Sequence, residues 1–387
     1  MTMKTPFTKS CILNYAIIFL AIWFTASSCS QSIKLTAHKN DVTNLINKVN
    51  KKWQKDNTYA VRSFWDNAAY HTGNMEAYKI TGIEEYRKYS ENWAIHNDWK
   101  GATSTNKDEW RYSYGETNRH VLFGDWQICF QTYADLFLLN PESYKIARAK
   151  EVMEYEMSTQ NVDYWWWADG LYMVMPVMTK LYKITGNDLY LKKLAEYFDY
   201  ADKLMYDSEY KLYYRDAKYV YPLMPTSNGK KNFWSRGNGW VFAGFAKILQ
   251  DLPEGEFRNL IIVKYKGMAN ALIKTQQEEG YWVRSLLDAQ HAPGRETSGT
   301  AFFTYGLFWG INNGLLDKKT YLPCAVKAWN YLQNIAVQPD YSVGYVQPIG
   351  ERAIPGQTVS EKSTANFGVG AFLLAACEYT RYLQIKK

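Results

Sequence analysis

The sequence predicts an all-α protein, an (α/α)6 barrel of six helical hairpins. Three observations carry this expectation. Apolar residues recur three and four apart through nearly the whole chain after residue 40. Twelve such segments are separated by Gly, Pro, Asn or Asp. A helix–glycine–helix unit also repeats. Tyr78-Lys79-Ile80-Thr81-Gly82 leads into Ile83-Glu84-Glu85-Tyr86, and Tyr182-Lys183-Ile184-Thr185-Gly186 leads into Asn187-Asp188-Leu189-Tyr190. Glycine takes the left-handed position after a helix at little cost, so each copy reads as the turn of an αα-hairpin. Six hairpins fill the chain and close into a ring; an open superhelix is the structural alternative.

Taken in order, residues 1–29 read as a leader rather than fold. Lys4 and Lys9 make a positive start, Cys11 to Phe24 is mostly apolar, and Ala26-Ser27-Ser28 precede Cys29. This is a secretory signal peptide with a lipobox, in which Cys29 becomes the lipidated N-terminus. Ordinary cleavage nearby would instead release a soluble exported protein. Residues 30–40 form a polar tether, and 41–387 a single catalytic domain. The expected location is the periplasm or outer membrane of a Gram-negative bacterium, with membrane contact only through the lipid. Helices are expected near 41–54, 65–81, 84–97, 121–138, 142–158, 168–184, 188–205, 238–251, 256–277, 299–313, 320–335 and 365–384. The loops before even-numbered helices are long, notably 98–120, 206–237 and 336–364, and those before odd-numbered helices are short. One rim of the ring is therefore elaborated, as in a scaffold with a site at one end. Cys129, Cys324 and Cys377 lie in apolar helical contexts and read as core thiols.

Composition removes several classes of function. The net charge is +7, and seven less the two leader lysines leaves +5, with no dense Lys/Arg block. Nucleic acid is therefore not an expected partner. No HExxH, CxxC or paired-His ligand set occurs, so no metal is expected. Arg236-Gly237-Asn238-Gly239 lacks the preceding strand and the glycine spacing of a dinucleotide or phosphate loop, so no cofactor is expected either. Aromatic residues make up 17% of the chain, with 32 Tyr and 15 Trp. That is more than a core needs and suits a carbohydrate cleft.

In a closed ring the starts of the even-numbered helices meet at one mouth. Asp125 begins the fourth helix and Asp169 the sixth; Arg236 to Trp240 begin the eighth, and His71 lies near the start of the second. Asp169 follows Trp165, Trp166 and Trp167, whose low dielectric should raise its pKa toward that of a general acid. Three consecutive tryptophans cannot share one helical face, so at least one packs inside. Asp125 is either the ionised partner of Asp169 or a helix cap. Arg236 and Trp240, four apart, share a helical face. Arg236 either grips a carboxylate or makes a structural ion pair, while Trp234 or Trp240 stacks on a ring. Arg215 is a second positive group or a partner of Asp216 or Glu209. His71 contacts substrate or is a satisfied core histidine.

Four blocks carry a resemblance. Trp167 to Pro176 is similar to the "ADALFMAPP" helix start of the unsaturated uronyl hydrolases, with Gly170 in place of the usual Ala. Phe233 to Trp240 resembles their "FWSRGNGW" block, Glu296 to Phe302 their "ETSGTxxF" block, and Gly344 to Gly350 a late loop. From about residue 50 onward the chain is similar to the unsaturated rhamnogalacturonyl hydrolases of glycoside hydrolase family 105, related to the glucuronyl hydrolases of family 88. The resemblance implies an (α/α)6 barrel. It also implies removal of the Δ4,5-unsaturated uronic acid that a polysaccharide lyase leaves at the non-reducing end of rhamnogalacturonan- or ulvan-type oligosaccharides. Asp169 matches the family's general acid, which hydrates the C4=C5 double bond, and Asp125 its second aspartate. Trp167, Arg215, Trp234, Arg236, Trp240 and His71 are the expected substrate contacts. Where several members carry a histidine before the second block, this chain has Arg215. Two other classes compete: a polysaccharide lyase on an α/α toroid, and a non-catalytic glycan-binding lipoprotein.

Overall fold

The computed structural model describes residues 39–385, which belong to one compact unit. The leader, Cys29 and nearly all of the tether lie outside the described residues.

Among the described residues thirteen α-helices follow one another: α1 (Lys39–Asp56), α2 (Trp65–Thr81), α3 (Glu84–His96), α4 (Gly124–Gln127), α5 (Cys129–Leu139), α6 (Tyr144–Ser158), α7 (Ala168–Thr185), α8 (Leu189–Met205), α9 (Ser235–Ile248), α10 (Glu256–Leu272), α11 (Thr297–Asn312), α12 (Lys318–Tyr331) and α13 (Asn366–Ile385). Six of them form an inner ring. α2 packs on α5, α5 on α7, α7 on α9, α9 on α11, α11 on α13, and α13 returns to α2. The ring is closed, which removes the open superhelix. α1, α3, α6, α8, α10 and α12 pack outside it. Inner helices are buried on nearly every side, as for α11, where Thr297 to Gly310 are all buried. A helix apolar all round belongs inside.

The repeated turns form as expected. Gly82 (φ 70°) and Gly186 (φ 68°) sit in the left-handed region, and their N–H groups bond the carbonyls of Tyr78 and Tyr182. The ring closes on two further glycines. A Cβ on Gly73 would lie 2.2 Å from the carbonyl oxygen of Gly370, and one on Gly370 would lie 2.3 Å from that of Ala69. Only hydrogen side chains let α2 and α13 approach so closely.

Three departures from the expected helices have local causes. The fourth segment is broken at Ile128, where the N–H of Gln131 bonds the Ile128 carbonyl three residues back. α10 stops at Leu272 because the Leu272 carbonyl is taken by the Thr275 hydroxyl and the Trp282 indole. The loop 206–234 contains a small antiparallel pair, β1 (Tyr206–Asp207) and β2 (Leu212–Tyr213), where no strand was expected. Asn238 holds β2 in place, accepting from the Tyr213 N–H and donating to the Tyr213 carbonyl. Cys129, Cys324 and Cys377 are buried thiols.

Along its axis the barrel has three levels. The N-termini of the inner helices surround a cleft. Beneath lies an aromatic plug, in which Trp240 meets Phe302 at 4.3 Å and Tyr172 at 4.7 Å between ring centres. Toward the C-terminal ends, charged side chains from four inner helices interlock. Asp135 pairs with Lys79 (3.2 Å) and Lys180, and Glu76 pairs with Lys79 (2.8 Å) and Arg381 (2.6 Å). Of these cations Lys79 lies in the last turn of its helix, where the backbone dipole favours positive charge.

Candidate active site

The cleft at the N-terminal mouth has a volume of about 450 Å³. Its walls include Asp125, Trp167, Asp169, Arg215, Trp234, Arg236 and Trp240. Seven of the eight expected catalytic and substrate-contact residues are thus brought together from four separate parts of the chain.

His71 is the exception and is withdrawn as a substrate contact. It lies in the second turn of α2, 2% exposed, on the other side of the helix from the cleft. Its ring stacks on Trp93 at 3.9 Å and its Nδ1 pairs with the Ser90 hydroxyl at 2.9 Å. Burial lowers its pKa well below the usual histidine value, so it is a neutral core residue.

The tryptophan run divides as its spacing requires. Trp165 is buried against Tyr197. Trp166 and Trp167 both line the cleft, with ring centres 4.8 Å apart and Phe123 against each. Trp167 stands at the N-cap of α7, extended at φ −137° and ψ 152°. Gly124 and Gly170 make room for its ring: Cβ atoms there would approach it to 3.0 and 3.3 Å. The contact at Gly170 is tight without being forbidden.

Asp169 and Asp125 both occupy the first turn of a helix, 7% exposed. Burial raises both pKa values. Asp169 is pulled back by Arg215, whose Nε lies 3.6 Å from its carboxylate, and by Arg236. Asp125 is raised by burial and, after it, by the negative charge of Asp169, and Arg215 opposes the rise. The two titrate as a pair.

Arg215 is wired into this centre. Its carbonyl accepts the Ala168 N–H at 2.7 Å, tying loop 206–234 to the start of α7. Its guanidinium bonds Asp216 at 2.5 Å and lies 5.5 Å from the Trp166 ring centre. Both expected alternatives hold at once: Arg215 pairs with Asp216 and is also a positive group of the cleft.

The Phe233–Trp240 block divides its work among its residues. Trp234 lines the cleft, and its indole donates to the Gln347 side chain at 2.9 Å. Arg236 lies sandwiched between the rings of Trp234 and Phe367, each 4.7 Å away. Its guanidinium donates to the carbonyls of Gln347 (2.6 Å), Pro348 (3.0 Å) and Gly350 (3.4 Å). It therefore clamps the 347–350 loop while lending its charge to the floor of the cleft. Glu296 caps α11 by accepting from the N–H groups of Ser298 and Gly299, and also accepts the Gln347 N–H. The fourth block thus rests on the second and third.

Sequence reasoning missed Trp65 and Asp66, and a rim of charged residues from the loops: Arg62, Glu116, Lys218 and Glu351. Trp65 and Asp66 begin α2, so the rule that even-numbered helix starts face the mouth points to them rather than to His71.

The glycosyl hydrolase family 88 model matches residues 36–383. An unsaturated 3S-rhamnoglycuronyl hydrolase of Formosa agariphila is 33% identical over 325 residues, 81% of this chain and 83% of its own. A solved structure named glycosyl hydrolase family 88 from Bacteroides vulgatus superposes with a TM-score of 0.88 at 58% identity, covering 89% of this chain and all of the other. Another, named Polysaccharide Lyase BACCELL_00875, does so with a TM-score of 0.87 at 64% identity, covering 89% and 98%.

Proposed function

Because the chain belongs to glycosyl hydrolase family 88, among the unsaturated uronyl hydrolases, we propose that it removes the Δ4,5-unsaturated uronic acid from the non-reducing end of an oligosaccharide. The observation that carries this is the buried pair Asp169–Asp125, set between tryptophan walls with Arg215 against Asp169.

The sugar ring lies against Trp166 and Trp167, and its carboxylate is drawn toward Arg215 and Arg236. A carboxylate there competes with Asp169 for the two cations that hold its pKa down, so Asp169 holds its proton more readily. Asp169 then protonates C4, leaving positive character at C5. Water adds at C5 and returns a proton to Asp169, which is thereby restored. The hemiketal opens and the glycosidic bond breaks, with one water consumed. A single acid with a raised pKa performs both transfers; an acid and a nucleophile on opposite faces of the bond are not needed.

The name of the Formosa relative supports a uronyl–rhamnose linkage. The substrate end is one that a polysaccharide lyase creates, so a lyase acts upstream. The leader and Cys29 support an exported, lipid-anchored protein in the periplasm or outer membrane. Among the described residues no helix is long and apolar enough to cross a membrane.

In Asp169→Asn an amide replaces the cycling acid, and turnover should fall by at least about a thousandfold. Near-normal turnover would overturn the assignment. The second reading, a lyase, draws on the name of the BACCELL_00875 structure. The two separate by the sign of the change in absorbance of the conjugated double bond. A hydrolase consumes it and a lyase creates it.

A further inference from the structure

The floor and the rim of the cleft offer a sugar different chemistry. Asp169 is at the floor, 7% exposed. At the rim the charged groups are matched to one another. Arg62 pairs with Glu116 at 2.7 Å, and Lys218 meets both oxygens of Glu351 at 2.9 Å. Between these pairs the rim also presents apolar surface. Tyr114 and Ile349 both line the cleft, 62% and 64% exposed. A terminal unsaturated uronate that reaches Asp169 enters first, so the next sugar rests at the level of these two side chains.

Both are held in place. The Tyr114 ring meets Phe123 edge-on at 5.8 Å, and its hydroxyl donates to Glu116 at 3.3 Å. Phe123 in turn lies against Trp166 and Trp167. The aromatic wall thus continues from the start of α7 out to the mouth, with Tyr114 as its outermost ring. Ile349 stands between two carbonyls that Arg236 grips, those of Pro348 at 3.0 Å and Gly350 at 3.4 Å. The guanidinium, itself 1% exposed, fixes this backbone while the isoleucine side chain stays in water. A wet apolar side chain in a cleft gains free energy when a ligand covers it. Because both groups are ordered beforehand, little of that gain is lost to immobilising them.

We propose that Tyr114 and Ile349 are specificity-determining residues for the leaving sugar, with Tyr114 stacking on its ring and Ile349 covering the methyl group of a 6-deoxyhexose. This rests on the uronyl hydrolase reading of the floor. The C–H face of a sugar ring suits an aromatic surface. A hexose with a hydroxymethyl group in place of the methyl would set a hydroxyl against Ile349, where it loses water and gains no partner. The choice is made at that one substituent and is independent of a sulfate ester elsewhere on the ring.

The test uses an unsaturated uronate on rhamnose and the same compound on mannose of matching configuration, which adds one hydroxyl at C6. Each is made with and without a sulfate ester on the second sugar, so that the ratio is read in the form that turns over. Wild type should show kcat/KM about fivefold higher for the rhamnose compound. Ile349→Asn places a polar tip of similar size there and should bring the ratio close to one by raising KM for the rhamnose compound. Ile349→Ala should narrow it in the same direction. Tyr114→Ala should raise KM for both compounds by about tenfold and change kcat less, a split that damage to the catalytic floor would not produce. Equal or better turnover of the mannose compound by wild type overturns the proposal. So does an unchanged ratio in both Ile349 variants, or an unchanged KM in Tyr114→Ala. Consumption of none of the compounds by wild type overturns the hydrolase reading, and the proposal with it.

Discussion

Asp125 carries a cost that its neighbours do not relieve. Burial and the charge of Asp169 raise its pKa in the folded protein. Stability from a raised acid is full below the unfolded pKa and is lost as pH rises through the folded one. At neutral pH Asp125 therefore works against folding, because it ionises more readily in the unfolded chain than in the cleft. Asp125→Asn should raise the melting temperature at pH 7 by a few degrees, on the order of 1–2 kcal/mol, while lowering kcat. The gain should shrink below pH 4, and a thermal melt series across pH checks it. Arg215 acts in the other direction on the catalytic acid, since its charge lowers the pKa of Asp169. In Arg215→Gln the alkaline limb of kcat/KM should move to higher pH as that pull is lost, and a limb that stays in place or moves down would show that Arg215 does not act on the acid.

The inner helices meet through contacts too close for ordinary side chains, and the tightest is the seam between α2 and α13. Gly370→Ala would drive a methyl group into the Ala69 carbonyl. Two backbones would have to separate, so the change should cost about 3 kcal/mol or more, read as a fall in the denaturation midpoint. The order and polarity of the helices, apart from the break at Ile128 that splits the fourth, were legible in the sequence because the 3.6-residue period and the Gly82 and Gly186 turns are local signals. The seam was not, since nothing near Gly73 announces that Gly370, almost three hundred residues later, lies against it. The same limit governed the site. Asp125, Asp169 and Arg236 stand out because they interrupt apolar helix starts, whereas Glu351 and Lys218 sit in polar loops where charge is ordinary. His71 misled because a histidine on a helix looks chemical in a sequence, while its stacking on Trp93 shows only in three dimensions.

The whole molecule is polar from one end of its ring to the other. The two acids of its cleft sit at helix starts and its interlocked charges toward the other helix ends. Asp135 is the pivot of the second group, 8% exposed between Lys79 and Lys180, and these cations hold its pKa below the usual value. Asp135→Asn would leave Lys180 without its carboxylate partner and Lys79 with Glu76 alone. It should cost about 3–5 kcal/mol of stability and leave the pH profile of turnover, set at the opposite end, where it was. Chemical denaturation together with a kcat/KM profile distinguishes this from a variant that disturbs the cleft.

The aromatic plug of Tyr172, Trp240 and Phe302, with the interlocked charges behind it, also dictates how a polymer meets this protein. The ring is a blind pouch rather than a tunnel. A chain cannot thread through it, so internal residues never reach Asp169 and only a terminus is trimmed. The freed sugar must back out through the opening by which it came in. Each event therefore ends with complete release, and the shortened strand, whose new end carries no C4=C5 double bond, has nothing further for this cleft.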